Sequence, residues 1–175
     1  MNSTPLGVEG LTVERNRDPK DRSVAVRRVL LLFFLAVLIA ALLDFFGQRP
    51  TTSTARSPGA AISVHAPSRL RSGLIFQVRV DIKANVRIER PTLVFDKGWW
   101  ESITLNAAAP EPSNWRSNGG RVALAYGPLS SGQAMTAWLY FQVNPTNVGH
   151  RAENVQLYDG ARPLVTVHRD VTIFP

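Results

Sequence analysis

Cysteine is absent from this chain, and its absence removes disulfide scaffolds, thiolate zinc sites, iron–sulfur clusters, cysteine nucleophiles and lipid anchoring on a cysteine. Histidine is nearly as scarce. The three present, His65, His150 and His168, fall on different predicted elements, with no HxH, HxxxH or carboxylate-histidine pair at ligand spacing. They read as surface or strand-face residues; only a meeting of His65 and His168 on neighbouring strands would revive a metal reading. No serine stands in a GxSxG elbow, and Ser130-Ser131 and Ser57-Pro58 are turn formers, so no hydrolase triad is predicted. The sequence therefore predicts no enzyme, no cofactor and no metal.

What is present comes first as size and charge. The 175 residues are one domain's worth, and a hydrophobic share of 45% excludes disorder throughout. The net charge of +7 can mean nucleic acid, an acidic surface or sidedness across a membrane, so its distribution has to decide. Residues 1–28 hold six basic and four acidic residues with scattered proline and glycine, and predict a flexible tail on the cytoplasmic side. Residues 29–47 predict a transmembrane helix: the run VLLLFFLAVLIAALLDFF, positions 29–46, carries one charge, Asp44. At about 1.5 Å per residue it spans roughly 27 Å, close to the hydrocarbon thickness of a bilayer.

Arg27 and Arg28 immediately precede this run as topogenic residues, and six basic residues flank it on the N-terminal side against Arg49 and Arg56 beyond it. The positive-inside bias then places the N-terminus in the cytoplasm and everything after the helix outside the cell membrane, in a single-pass protein. Asp44 reads as a boundary residue reaching the head groups. A cleaved signal sequence is the alternative, with Ser53 and Ala55 as a passable cleavage pattern. The 28 residues before the apolar core, and the distance of Ser53 from it, favour a retained anchor. Residues 48–59, QRPTTSTARSPG, lack any large apolar side chain and predict a stalk-like linker.

Residues 60–175 predict an all-β domain. Leu74, Phe76, Val78, Val80 and Ile82 alternate with Ile75, Gln77, Arg79, Asp81 and Lys83, the period-two signature of a strand with one face in a core. Further strands are expected at 62–65, 86–89, 92–95, 103–105, 122–126, 135–143, 155–158 and 164–174. Turn residues such as Arg71-Ser72-Gly73, Ser130-Ser131-Gly132 and Asp159-Gly160 separate them. Many short strands at spacings near ten residues argue for a two-sheet antiparallel sandwich.

The stretch VALAYGPLSSGQAMTAWLYFQVNPTNVGHRAENVQLYDG carries a leucine-to-glycine turn, Leu129 to Gly132, then a long alternating strand, then Gly149 and a strand with Asn154 and Val155. It resembles the second half of immunoglobulin-like repeat domains of bacterial cell surfaces. The whole segment, with GWW, ITLN and VNPTNVG, is also similar to uncharacterised single-pass membrane proteins of actinobacteria. The resemblance implies an immunoglobulin-like β-sandwich behind one membrane helix and brings no activity with it.

The domain carries twelve basic and eight acidic residues, interleaved along strands, which argues against nucleic acid as a partner. Asp96 and Glu101 bracket Trp99 and Trp100 and could form a glycosidase-like carboxylate pair, though solvated turn carboxylates are the commoner case. The candidate binding residues are Trp99, Trp100 and Trp115. The first two are adjacent, so on an extended chain they point to opposite sides; the third lies in residues 107–120, which show no strand pattern and read as a long loop. Trp138 shares a mixed strand face with Tyr140.

Two functions fit. One is a membrane-anchored extracytoplasmic interaction or structural module, an accessory subunit with the lipid bilayer and another membrane or cell-envelope protein as partners. The other is a polysaccharide-binding module stacking sugars on exposed tryptophans. A flat exposed row of Trp99, Trp100 and Trp115 would favour sugar, and buried or scattered rings would favour docking.

Overall fold

The computed structural model describes residues 20–43 and 48–175, and the chain forms two compact units, the helical segment and the β domain. Helix α1 spans Lys20–Leu42. Its window Ser23–Leu42 has 20 residues of mean hydropathy 2.5. Such a helix is about 30 Å long, enough to cross a bilayer core. Leu31, Phe33, Leu38 and Leu42 are all exposed. A helix apolar on every side needs lipid or protein around it. The helix starts at Lys20, well before position 29, so Arg27 and Arg28 are helical and exposed instead of belonging to a flexible tail. The rest of the expected tail, residues 1–19, and the end of the expected membrane segment with Asp44, residues 44–47, lie outside the described residues.

The β domain is all-β, as expected, a sandwich of sheets that are antiparallel except for one parallel pair of strands. Its strands are β1 Pro50–Arg56, β2 Ala60–Pro67, β3 Arg69–Arg71, β4 Ile75–Ala84, β5 Pro91–Phe95, β6 Ile103–Ala109, β7 Asn114–Asn118, β8 Arg121–Ala125, β9 Ala134–Val143, β10 Gly149–Ala152, β11 Val155–Asp159, β12 Arg162–Val167 and β13 Asp170–Phe174. One sheet has the order β1-β2-β4-β9-β6 and the other β12-β11-β5-β8-β7, with a small sheet β10-β13-β3 at one end, in which β13 pairs β3 in parallel. The chain passes directly from one five-stranded sheet to the other between β4 and β5, β5 and β6, β6 and β7, and β8 and β9. Each strand of a sandwich can then bury alternate residues against the opposite sheet.

The central pair β4 and β9 shows this best. Phe76, Val78, Val80 and Ile82 face inward beside Ala137, Leu139, Phe141 and Val143, in register Phe76 opposite Phe141 and Val78 opposite Leu139. Leu93 and Phe95 of β5, Leu124 of β8 and Leu157 of β11 fill the core from the other sheet. Full burial of such side chains contributes about 1.5 to 3 kcal/mol each, the dominant favourable contribution to a fold of this size.

Four expectations change. Residues 50–56 of the presumed linker form β1, paired along its whole length with β2, so the sandwich begins ten residues earlier than position 60. The stretch 107–120 is no free loop: it ends β6 and contains β7, which pairs with β8 from Asn114 opposite Ala125 to Asn118 opposite Arg121. The presumed strand at 86–89 makes only the bridge between Ile88 and Leu129. The run 164–174 is two strands, because the chain bends at His168 and Arg169 and passes from one sheet to another.

Candidate functional site

The three candidate tryptophans do not form a row. Asp96 opens a 3-10 turn, Lys97–Trp99, so Trp99 and Trp100 follow a coiled path and both rings reach Phe141, at 5.5 and 5.6 Å between centroids. Trp99 is fully buried, with its indole N–H donating to the Asn154 carbonyl oxygen at 3.3 Å and Phe95 edge-on at 5.5 Å. Trp100 is half-buried and meets Trp115 edge-on at 5.7 Å. Trp115, 47% exposed, stands on β7, a free edge strand, over the open side of the sandwich near Leu105, Ala108 and Pro112 of the β6 end. An aromatic relay thus runs from the core to the surface and presents a single indole there.

A buried polar cluster lies behind Trp99, and nothing in the residue order points to it. Glu153 and Arg169 occupy the bends where β10 runs into β11 and β12 into β13, joined by the Glu153 N–H donating to the Arg169 carbonyl at 2.8 Å. Their side chains are buried, with the Arg169 Nε 3.9 Å from a Glu153 carboxylate oxygen. Arg169 Nη2 donates to the carbonyls of Ala66 at 3.1 Å and Pro67 at 3.0 Å, and its guanidinium lies 5.5 Å from the Trp99 ring centre. Burial pushes the Glu153 carboxyl up to about 8 in spite of Arg169 and Arg151, and pushes Arg169 downward. The cluster staples three sheet ends together, and Asn154 extends it through a bond from its amide to Asp96 at 2.8 Å.

Asp96 and Glu101 each have basic partners of their own. Asp96 is tied to Arg121 at 3.1 Å and to Asn154, while Glu101 faces Lys97 at 3.7 Å and Arg151 at 3.9 Å. His65 does not meet His168 in any contact of the described residues; it lies on the outer face of β2 with Thr52 at its Nδ1, 2.8 Å, and Asp81 and Arg79 both at its Nε2, 2.9 Å each. Thr136 donates to the other Asp81 oxygen at 2.7 Å. Hydroxyl, imidazole and carboxylate in sequence resemble a hydrolase triad on paper. Here they lie across an open sheet face in register, Thr52 opposite His65 and His65 opposite Arg79, as a cross-strand polar ladder. His150 contacts Thr172, and no group of three or more potential metal ligands occurs among the described residues. Trp138 and Tyr140 also face outward, but Arg79 lies 5.6 Å from the Trp138 ring centre and Gln77 donates to the Tyr140 hydroxyl at 2.7 Å.

No family model matches the chain, and no curated protein matches it in sequence. Among solved structures it is similar to a non-cellulosomal cohesin from the archaeon Archaeoglobus fulgidus, with 14% identity, TM-score 0.40, and 61% of this chain and 85% of that one covered. It is also similar to AvmM, which catalyses macrocyclisation in alchivemycin A biosynthesis, with 8% identity, TM-score 0.44, and 74% and 90% covered. A third likeness is to an exo-β-N-acetylglucosaminidase from Vibrio harveyi, at 10% identity and TM-score 0.32, where 73% of this chain covers 18% of that one. At these scores the likenesses bring no activity, ligand or partner to this chain.

Proposed function

We propose that the chain is a membrane-tethered docking module: α1 crosses the cell membrane with its N-terminus inside, and the sandwich stands outside as an accessory subunit of another membrane or envelope protein. The observation that carries this reading is the scatter of the three tryptophans. Trp99 is core, Trp100 is half-covered and Trp115 alone is exposed, so they offer no flat platform for successive sugar rings. A lone indole beside two free sheet edges, β6 and β7, instead suits a protein contact, where one aromatic anchor carries much of the binding energy. The ion-paired acids and the open His65 ladder favour a module without catalysis, and the interleaved charges one without nucleic acid.

Arg27 and Arg28, exposed at the polar end of the apolar stretch, support the orientation because cationic side chains near a helix end reach the head groups and are retained on the cytoplasmic side. Protease added to intact cells is expected to remove an epitope placed after Pro175 and to spare one before Met1. Protection of the C-terminal epitope would overturn the orientation, and release of a shortened protein into the medium would favour cleavage.

Docking is tested at Trp115. With half of its surface already in water and one edge-to-face partner worth about 0.5 to 1.5 kcal/mol, Trp115→Ala is expected to lower stability by only about 1 to 2 kcal/mol. A photo-crosslinking residue at position 115 is expected to trap one discrete partner in intact membranes, which a crosslinker at the outward-facing position 83 does not. A loss of about 3 to 5 kcal/mol in Trp115→Ala would mark the residue as a core plug instead.

A further inference from the structure

The outer face of the β12-β11-β5-β8-β7 sheet is not flat. It holds a groove of about 640 Å³, lined by Thr92, Val94, Ala123 and Ala125 along its floor, with Arg90 and Arg116 at its margins. Register explains the shape. One cross-strand row is Tyr158, Thr92, Ala125 and Asn114, and the next is Gln156, Val94, Ala123 and Arg116, so the two middle strands offer small side chains and the flanking strands large ones. The trough therefore runs parallel to the strands. On the β11 side its wall is braced by the Tyr158 hydroxyl, which donates to Gln156 at 2.9 Å.

Arg90 closes one end and is held there. Its backbone N–H donates to an Asp159 carboxylate oxygen at 2.8 Å, and its carbonyl accepts from the Gly160 N–H at 3.0 Å. The guanidinium lies over Gly160, where a β-carbon would come within 2.9 Å of Nη2; glycine also suits the positive φ of 59° at this turn. Arg79, Arg87, Arg121, Arg151 and Arg169 each face a carboxylate. Arg90 and Arg116 face none among the described residues, and no acidic side chain lines the groove. The buried Tyr126 hydroxyl at the same end also lacks a hydrogen-bond partner among the described residues.

We propose that this groove takes an extended acidic segment of the partner protein, with Arg90 and Arg116 each receiving a carboxylate; the proposal rests on the docking reading and names the chemistry of the partner. Charge complementarity selects an acidic occupant, since a guanidinium pairs a carboxylate through two parallel N–H donors. The floor suits a polypeptide better than a sugar chain: Thr92, Val94, Ala123 and Ala125 offer it methyl groups, while of the two tyrosines in the lining Tyr126 is buried and Tyr158 stands in the wall, its hydroxyl tied to Gln156. Arg116 and Arg90 are four residue steps apart along the strand direction, about 13 Å, which is the spacing of side chains four apart on an extended chain.

The test uses the full-length protein in nanodiscs of uncharged lipid and a labelled nine-residue peptide alternating threonine and glutamate, followed by fluorescence anisotropy. Saturable binding is expected, weakened at least tenfold by the double variant Arg90→Ala, Arg116→Ala. Filling the floor with Ala123→Leu should weaken it similarly without changing charge. Arg87→Ala, which removes an ion-paired arginine outside the groove, is expected to leave binding unchanged, and the reversal Arg90→Glu, Arg116→Glu to favour the lysine counterpart of the peptide. Absent binding, equal binding by the double alanine variant, or an equal loss in Arg87→Ala would overturn the proposal. Tighter, arginine-dependent binding of polygalacturonate would replace the acidic peptide by an anionic glycan. A partner crosslinked at position 115 that persists in the double alanine variant would leave docking intact and remove the groove from it, whereas no crosslink from position 115 in the wild-type chain would remove the docking reading itself.

Discussion

Val78→Asp and Val80→Asp are each expected to abolish folding of the β domain. Both side chains are fully buried in β4, Val78 opposite Leu139 and Val80 between Val64 and Ala137 in the neighbouring strands. A carboxylate there meets no donor, and an unpaired buried charge costs several kcal/mol beyond the loss of apolar contact. Domains of this size have only about 5 to 15 kcal/mol of stability to lose. Arg79→Ala, one position away on the same strand, is expected to be mild, within about 1 kcal/mol, because Arg79 points outward to Asp81 and the Trp138 ring. Soluble yield and thermal melts of the three variants check this. Equal tolerance at positions 78, 79 and 80 would show that the inward face of β4 is wrongly assigned.

The second large effect lies at the staple between the sheets. Arg169→Met is expected to cost about 2 to 4 kcal/mol, since it strips the buried Ala66 and Pro67 carbonyls of their donor and removes the guanidinium from the Trp99 ring. Glu153→Gln is expected to be far milder, because burial already favours the neutral carboxyl. The same group sets a pH dependence. Its carboxyl is raised from an ordinary 4.5 to about 8 in the folded chain, so the folded state holds a proton that the unfolded chain releases. This contribution to stability is complete below about pH 4.5 and is lost as pH rises through about 8. Melting temperature is therefore expected to fall between pH 5 and pH 9 in the native chain and to fall less in Glu153→Gln. Parallel pH profiles for the two proteins would show that another group carries the dependence.

Local patterns wrote much of this architecture into the residue order. An apolar run of bilayer length reads as a spanning helix whatever surrounds it, because hydrocarbon demands it of every side chain. The alternation in β4 and β9 reads as strand because each inward residue must be apolar and each outward one tolerates water. Four short strands escaped notice, all of them sheet edges: β3 and β10 in the small sheet, and β1 with PTTSTAR and β7 with NWRSN in the large ones. Edge strands hold their place through backbone bonds to one neighbour, and β7 buries none of its side chains, so neither β1 nor β7 needs an apolar period. The helix start at Lys20 escaped for a related reason: charged residues continue a helix as readily as apolar ones do.

The sites were less legible, since each depends on residues distant in the chain. Trp99 and Trp100 read as opposed neighbours on an extended segment, yet a 3-10 turn brings both rings to Phe141. Glu153 and Arg169 meet only because two strands bend together at the junction of two sheets, and the groove between Arg90 and Arg116 exists only because register aligns Thr92, Val94, Ala123 and Ala125 between larger side chains. The amino-acid sequence by itself determined the membrane-length helix, the β class and the inward faces of the long strands, where the physical cause is a side chain's own preference for water or for a core. Tertiary structure alone decided which tryptophan reaches the surface, which charges are buried together and where arginines that face no carboxylate among the described residues line a trough, because those properties belong to pairs of strands and to their register.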